Sequence, residues 1–238
     1  MTATQEEEIL NLRALNLTPK QIARKLGVKV SEVSSVIQNQ AQQTKLDRLA
    51  KGELDPVYQC LASENLIQLL PDIPSENNIK KGVKNDDDIA RGLGLVVISR
   101  VARYNQITVC SYLLDIWCLG VKDTIPPRTI DRIKFKEFAE LVFDPFPGKP
   151  HPVPLEVAQG MIFSACEYAE NLGFQPHKDF EKSRSHIGVG DGTIRIECGR
   201  NGKPCYVDGP HDDPIKIMKT LKKSRGEGNF DFMIGGAQ

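Results

Sequence analysis

Residues 17–40 read LTPKQIARKLGVKVSEVSSVIQNQ, and this stretch decides the reading of the N-terminal fold. Two short amphipathic runs meet at one glycine. Thr18 can cap a helix, Pro19 suits its first position, and Gln21 can close a capping box. Ile22, Ala23 and Leu26 form one apolar face, and Gly27 stops the helix because glycine adopts positive φ without strain. Ser31 opens a third segment, with Val33, Val36 and Ile37 inward and Ser34, Ser35 and Gln38 outward. Upstream, TQEE places Thr4 three residues before Glu7, which predicts a first helix capped by Thr4. Glu6, Glu7 and Glu8 would lie in its first turn, where the helix dipole favours negative charge. Ile9, Leu12 and either Ala14 or Leu15 carry its apolar stripe to about Asn16. Residues 1–50 therefore read as a three-helix module. QAQQTKLDRLAKGEL can prolong the third helix, but its glutamines and few apolar positions argue against a long zipper.

Thirty-one basic residues balance thirty-one acidic ones, so no whole-protein positive field is available to hold nucleic acid. Residues 1–50 carry seven basic and five acidic groups, and no region is a polybasic arm. The N-terminal MTATQEEEIL lacks the basic-then-apolar pattern of a signal peptide, and VCSYLLDIWCLGV is too short, and broken by Asp115, to span a bilayer. Six cysteines without CxxC spacing point to free thiols. A cytoplasmic protein with no membrane partner is expected.

The remaining chain, 55–238, reads as one α+β domain. DPVYQCLASENLIQLL is a helical or mixed opening segment, and 71–92 is polar and aromatic-free, the signature of a flexible insertion loop. Asp86, Asp87 and Asp88 on that loop are read as solvated. GLGLVVISRVARYNQITVCSYLLDIWCLGV predicts two strands joined near Tyr104-Asn105-Gln106. Pro126-Pro127 is expected to end that region, with TIDRIKFKEFAELVF resuming helical spacing. LEVAQGMIFSACEYAENLGF is the most convincing long helix, stopped by Gly173. Asn201-Gly202 signals a type I′ hairpin in which Arg200 faces Lys203, Gly199 faces Pro204 and Cys198 faces Cys205 as paired thiols. A helix begun by Asp212 or Asp213 and Pro214, then a closing strand NFDFMI, complete the chain. A mainly antiparallel sheet with helices on one face satisfies this order.

Chemistry-bearing residues concentrate at three places. DIWCLGVKD brings Asp115, Cys118, Lys122 and Asp123 to a strand end, although Cys118 also suits a core and Lys122 can pair locally with Asp123. GFQPHKDF adds His177 and Asp179, which with Asp115 or Asp123 could bind a metal or move protons. The alternative is a helix-terminal histidine bonded to backbone. YVDGPHDDP supplies His211 and three aspartates that turn formation and capping explain. No Ser/His/Asp triad, zinc-ligand spacing, Walker loop or dinucleotide fingerprint is present, and GLG precedes a strand instead of opening a helix. No cofactor and no metal set is implied.

The skeleton Ile22, Ala23, Leu26, Gly27, Val28, Val33 and Val36 resembles the helix-turn-helix of repressors, resolvases and sigma factors. Ala23 matches the small residue of that motif and Gly27 its turn glycine. The resemblance implies that the third helix enters a major groove. Ser31, Ser34, Ser35 and Gln38 would then meet base edges, while Lys20, Arg24 and Lys29 reach phosphates. Against this, the outward face carries no arginine, Glu32 repels phosphate, and Lys29 stands where a Ser or Thr usually caps. The alternative is a module for protein contact or dimerisation. So small a module needs dimerisation or a second DNA-binding partner.

Farther on, CLASENL, VVISR, LLDIWCLGVKD, YAENLGFQPHKDF and GRNGKPCYVDGPHDDP together resemble an uncharacterised bacterial protein family over about residues 57–230. Trp117 replaces a tyrosine of that family, and Cys205 an aromatic residue. The resemblance implies one continuous domain and carries no activity. The expectation is a DNA-binding or regulatory protein whose C-terminal domain recognises a partner or ligand. An adaptor in a larger protein or ribonucleoprotein assembly, and an enzyme using Asp115, Cys118, Asp123, His177 and Asp179, are the alternatives.

Overall fold

The Thr18 hydroxyl accepts the Gln21 N–H at 3.4 Å, and the Gln21 side chain accepts the Thr18 N–H at 2.9 Å. This reciprocal box satisfies two donors that a helix start leaves open. It launches helix α2, Pro19–Leu26, which follows α1, Ala3–Ala14, and precedes α3, Val30–Ala50. Gly27 ends α2 at φ 67°, its N–H donating to the Ala23 carbonyl. Ile9, Leu12, Ile22, Ala23, Val33 and Val36 are buried where the three helices meet. The computed structural model describes residues 3–50, 53–70, 92–103, 105–190 and 192–233, in two units, Met1–Leu54 and Asp55–Gln238.

Two expectations for the first unit change. Thr4 lies within α1, so its backbone is helical and it cannot be the cap, and Glu6 alone of the acidic run falls in the first turn. Ala14 and Leu15 are both exposed. Leu17 packs against the core in their place, after Asn16 breaks the helix with a left-handed φ of 62°.

In the second unit, β1 (Val57–Ala62), β2 (Leu93–Arg103), β3 (Gln106–Asp115), β4 (Gly120–Asp131) and β5 (His151–Val153) form an antiparallel sheet in the order β4-β3-β2-β1-β5. Residues 94–100 of β2 are buried without a break. That run requires cover on both faces. Val96 and Ile98 face one cluster with Tyr112 and α6 (Leu155–Asn171); Leu95 and Val97 face the other with Phe135, Phe138 and Phe143 of α5 (Phe135–Phe143). The one-faced arrangement is therefore replaced by helices on both sides. The proposed loop 71–92, apart from Gly92, lies outside the described residues, as do Asp86, Asp87, Asp88 and Tyr104.

Pro126-Pro127 does not end the sheet. β4 continues through both prolines to Asp131, opposite a register shift between Val109 and Ser111 of β3. β4 is an edge strand, so only alternate N–H groups face its neighbour, and both prolines fall in the unpaired shift, where an absent N–H removes no ladder bond. A short 3-10 turn, Arg132–Lys134, then leads into α5, so the helix starts six residues later than TIDRIKFKEF suggests.

The Asn201-Gly202 turn forms, with φ 53° and 75° and a mutual backbone pair between Arg200 and Lys203. Its ladder stops there. The Gly199 N–H donates to the Ile116 carbonyl and the Cys205 N–H to that of Trp117, so the two flanks bond the β3–β4 connection instead of each other. The pairings Gly199–Pro204 and Cys198–Cys205 are thus not made, and all six cysteines are free thiols. β6 (Cys205–Val207) pairs in parallel with β7 (Asp231–Met233), apart from the main sheet. Helix α8 (Pro214–Arg225) is capped by Asp213, whose carboxylate accepts the Lys216 N–H at 3.1 Å. Among the described residues, no helix is long and apolar enough to cross a membrane.

Two further short helices occur, α4 (Glu64–Ile67) and α7 (Phe180–Ile187), the second beginning at the last residue of GFQPHKDF. The sheet grips the end of α7. Arg100, 5% exposed on β2, donates to the carbonyls of His186 (2.8 Å), Ile187 (3.1 Å) and Asp55 (2.8 Å). Tyr112 donates to the Ser183 carbonyl at 2.9 Å, and Gln159 of α6 to that of Ile187 at 3.0 Å. These donors satisfy the carbonyls that a helix end leaves open. Arg100→Met should cost about 1–3 kcal/mol in urea unfolding, because it leaves the buried His186 carbonyl without its donor, while Gln159 still serves that of Ile187. Arg100→Lys should cost less than Arg100→Met, keeping the charge without the fork.

His186 approaches the Ile98 carbonyl through Nε2 at 3.1 Å. Burial, with the Arg100 charge, lowers its pKa to about 4, against the hydrogen bond that raises it. The unfolded imidazole takes its proton near pH 6.5 and the folded one near 4, so this contribution is complete above pH 6.5. It disappears as pH falls to about 4, and is worth about 3 kcal/mol. Unfolding of the wild type and of His186→Gln across pH 7.5 to 4 should show the wild type losing that increment relative to the variant.

Candidate functional site

In α3 the buried residues Val33 and Val36 fix which side faces outward. Ser31, Ser34, Ser35 and Gln38 occupy positions i, i+3, i+4 and i+7, which share one helical face. Ser31, Ser35 and Gln38 are exposed and Ser34 half-buried. Lys20, Arg24 and Lys29 are exposed as well. All seven residues therefore sit on the accessible part of the three-helix unit. Glu32 has a local task. Its carboxylate accepts the Lys29 N–H at 2.9 Å, supplying half a capping box at a helix start with no Ser or Thr cap. Between Thr18 and Gln40, four basic residues stand against this single acid.

The five candidates of the second unit separate into two places. Asp115, 3% exposed, closes β3 and accepts the N–H groups of Trp117 (3.1 Å) and Cys118 (3.0 Å). Burial raises its pKa to about 6, opposed by the Lys122 charge and those backbone donors. Cys118 is fully buried with Leu172, Tyr206, Leu221 and Phe230. Burial, with the Asp115 charge, pushes its thiol up, opposite to what a nucleophile requires. Asp123, His177 and Asp179 converge nearer solvent. His177 Nδ1 lies 3.6 Å from Asp123 Oδ1 and 3.9 Å from Asp179 Oδ2, and accepts the Asp179 N–H at 3.4 Å. Asp179 is bonded by Lys182 at 2.9 Å, which holds its carboxyl below the usual range. Among the described residues, no group of three or more His, Cys, Asp or Glu side chains is placed to hold a metal ion.

Lys122 does not pair with Asp123. Its Nζ lies 2.7 Å from Asp212 Oδ2, and that oxygen also accepts the Gly209 N–H at 3.0 Å. The Tyr206 hydroxyl reaches Asp208 (3.2 Å) and Asp212 (3.4 Å), while His211 is exposed. Lys122 and Asp212 are ninety residues apart, so no local spacing announces the pair. No protein-family model, curated protein or solved structure matches this chain.

The Asp115 charge works against folding. Its folded pKa of about 6 exceeds the ordinary 3.8, so the native state favours the protonated form. Ionisation costs stability progressively from pH 3.8 to 6, reaching about 3 kcal/mol above that window. Asp115→Asn keeps an oxygen for the Trp117 and Cys118 donors. It should raise stability at pH 7.5 by up to about 3 kcal/mol and leave it unchanged near pH 3.5, read by thermal and urea unfolding.

Proposed function

We propose that the protein binds DNA through α2, the Gly27 turn and α3, and acts as a regulator whose second unit recognises a partner or ligand. One observation carries this reading: a polar stripe at Ser31, Ser34, Ser35 and Gln38 faces outward on the third helix of a glycine-turned three-helix unit. Hydroxyls can meet any base edge, and a glutamine amide pairs best with adenine. Lys20, Arg24 and Lys29 supply phosphate contacts that position the helix without reading sequence. Glu32 is engaged by its own helix start, which weakens the objection from its charge. Three phosphate contacts give a shallow salt dependence and weak binding, so a dimer or a further contact completes the interface. Free thiols at all six cysteines suit a reducing cytoplasm.

Selection of duplexes from a randomised library, followed by fluorescence anisotropy, tests this reading. A Lys29→Ala/Ser34→Ala/Gln38→Ala variant should bind the enriched duplex about tenfold to a hundredfold more weakly than wild type. Equal affinity would sink the major-groove assignment. Protein partners that survive nuclease treatment in a pull-down, with no duplex enriched, would favour the adaptor reading.

A further inference from the structure

Helix α8 carries five basic residues and no acidic one in a chain whose formal charge is zero. Its register separates two faces. Ile217, Met218 and Leu221 pack into the unit, and Lys216, Lys219 and Lys223 lie on the opposite, exposed side. Lys222 is paired with Glu227 at 3.1 Å, whereas Lys216, Lys219 and Lys223 make no ion pair among the described residues. The helix dipole explains cations in the last turn, at Lys222, Lys223 and Arg225. It does not explain Lys216 and Lys219, which stand toward the positive end, Lys216 within the first turn. Solvation alone does not call for a single sign of charge on the face.

Lys219 and Lys223 also border an open cleft of about 360 Å³ with Leu172, Gly173, Thr220 and Ser224, and no carboxylate lines it. The Thr220 and Ser224 hydroxyls donate backward to the Lys216 and Leu221 carbonyls, leaving the two lysines as the side-chain donors of the cleft. An anion there is held by point charges instead of a directed hydrogen-bond set. That suits a polyanion backbone better than one small phosphate ligand.

We infer that Lys216, Lys219 and Lys223 form a second, sequence-independent contact to the nucleic-acid backbone. From Lys216 to Lys223 the helix advances about 10 Å, matching roughly three phosphates of one strand. The inference rests on the DNA reading of the first unit, which has few phosphate contacts of its own, and it names where additional charge comes from.

The test uses the full chain and a labelled random-sequence 30-bp duplex, with anisotropy titrations from about 50 to 200 mM KCl. Lys216→Gln/Lys219→Gln/Lys223→Gln lies opposite the buried face, so thermal unfolding should match wild type. Its salt slope should fall by roughly 2 to 3, and its affinity at 100 mM KCl should drop about tenfold or more, equally for all sequences. An unchanged slope in this variant, while the Lys29/Ser34/Gln38 alanine variant weakens binding to its enriched duplex, overturns the inference and leaves the α3 reading standing. The reverse pattern upholds α8 and sinks α3. A wild type that binds no duplex at 50 mM KCl overturns the inference as well. So does a glutamine variant that loses polyglutamate binding but keeps its affinity for DNA, which would assign the face to an acidic protein.

Discussion

The Arg100 guanidinium is buried in β2, and the arrangement of the second unit depends on what it bonds. Its three carbonyl partners belong to the last turn of α7 and to Asp55, at the start of that unit. Each of its three nitrogens donates to one carbonyl, and a charged group so far from water needs those partners, so the end of α7 has little freedom to shift. Tyr112 and Gln159 bond the same helix end from β3 and α6. Three elements distant in sequence thus agree on one position for α7. His186 is held neutral beside the same guanidinium, which ties the site to pH.

The first unit works by a different logic. Its geometry is set by short-range devices, the Thr18–Gln21 box, the left-handed Gly27 and the six buried apolar residues. Such devices stabilise the turn whatever the outward residues are. The outer face is therefore free to carry function, and serine, glutamine and lysine occupy it. The sparse charge there and the concentrated charge on α8 are complementary facts about one chain.

The second unit also stores unfavourable electrostatics at Asp115. A carboxylate buried at a strand end, bonded by the next turn's N–H groups and raised toward neutrality, stabilises the turn while opposing its own ionisation. Burial likewise disfavours the thiolate of Cys118 beside it, with the Asp115 charge adding to the effect. Asp123, exposed, and His177 and Asp179, half-buried, are the part of the candidate chemistry that solvent reaches.

Local pattern determined the three N-terminal helices, the Asn201-Gly202 turn, the start of α8 at Asp212 or Asp213 and the long helix α6, because each depends on residues within one or two turns of one another. It could not place Thr4 inside a helix, since a capping pair has the same spacing as two helical neighbours. The two-proline passage of β4 was hidden for a related reason: an edge strand with an unpaired register shift makes the missing N–H groups harmless, and both belong to the assembled sheet. The separation of Asp115 and Cys118 from His177, the Lys122–Asp212 pair and the Arg100 clasp on α7 join residues about 45 to 90 positions apart. Tertiary structure alone decided them, because burial and hydrogen-bond demand select those partners only after the sheet has formed.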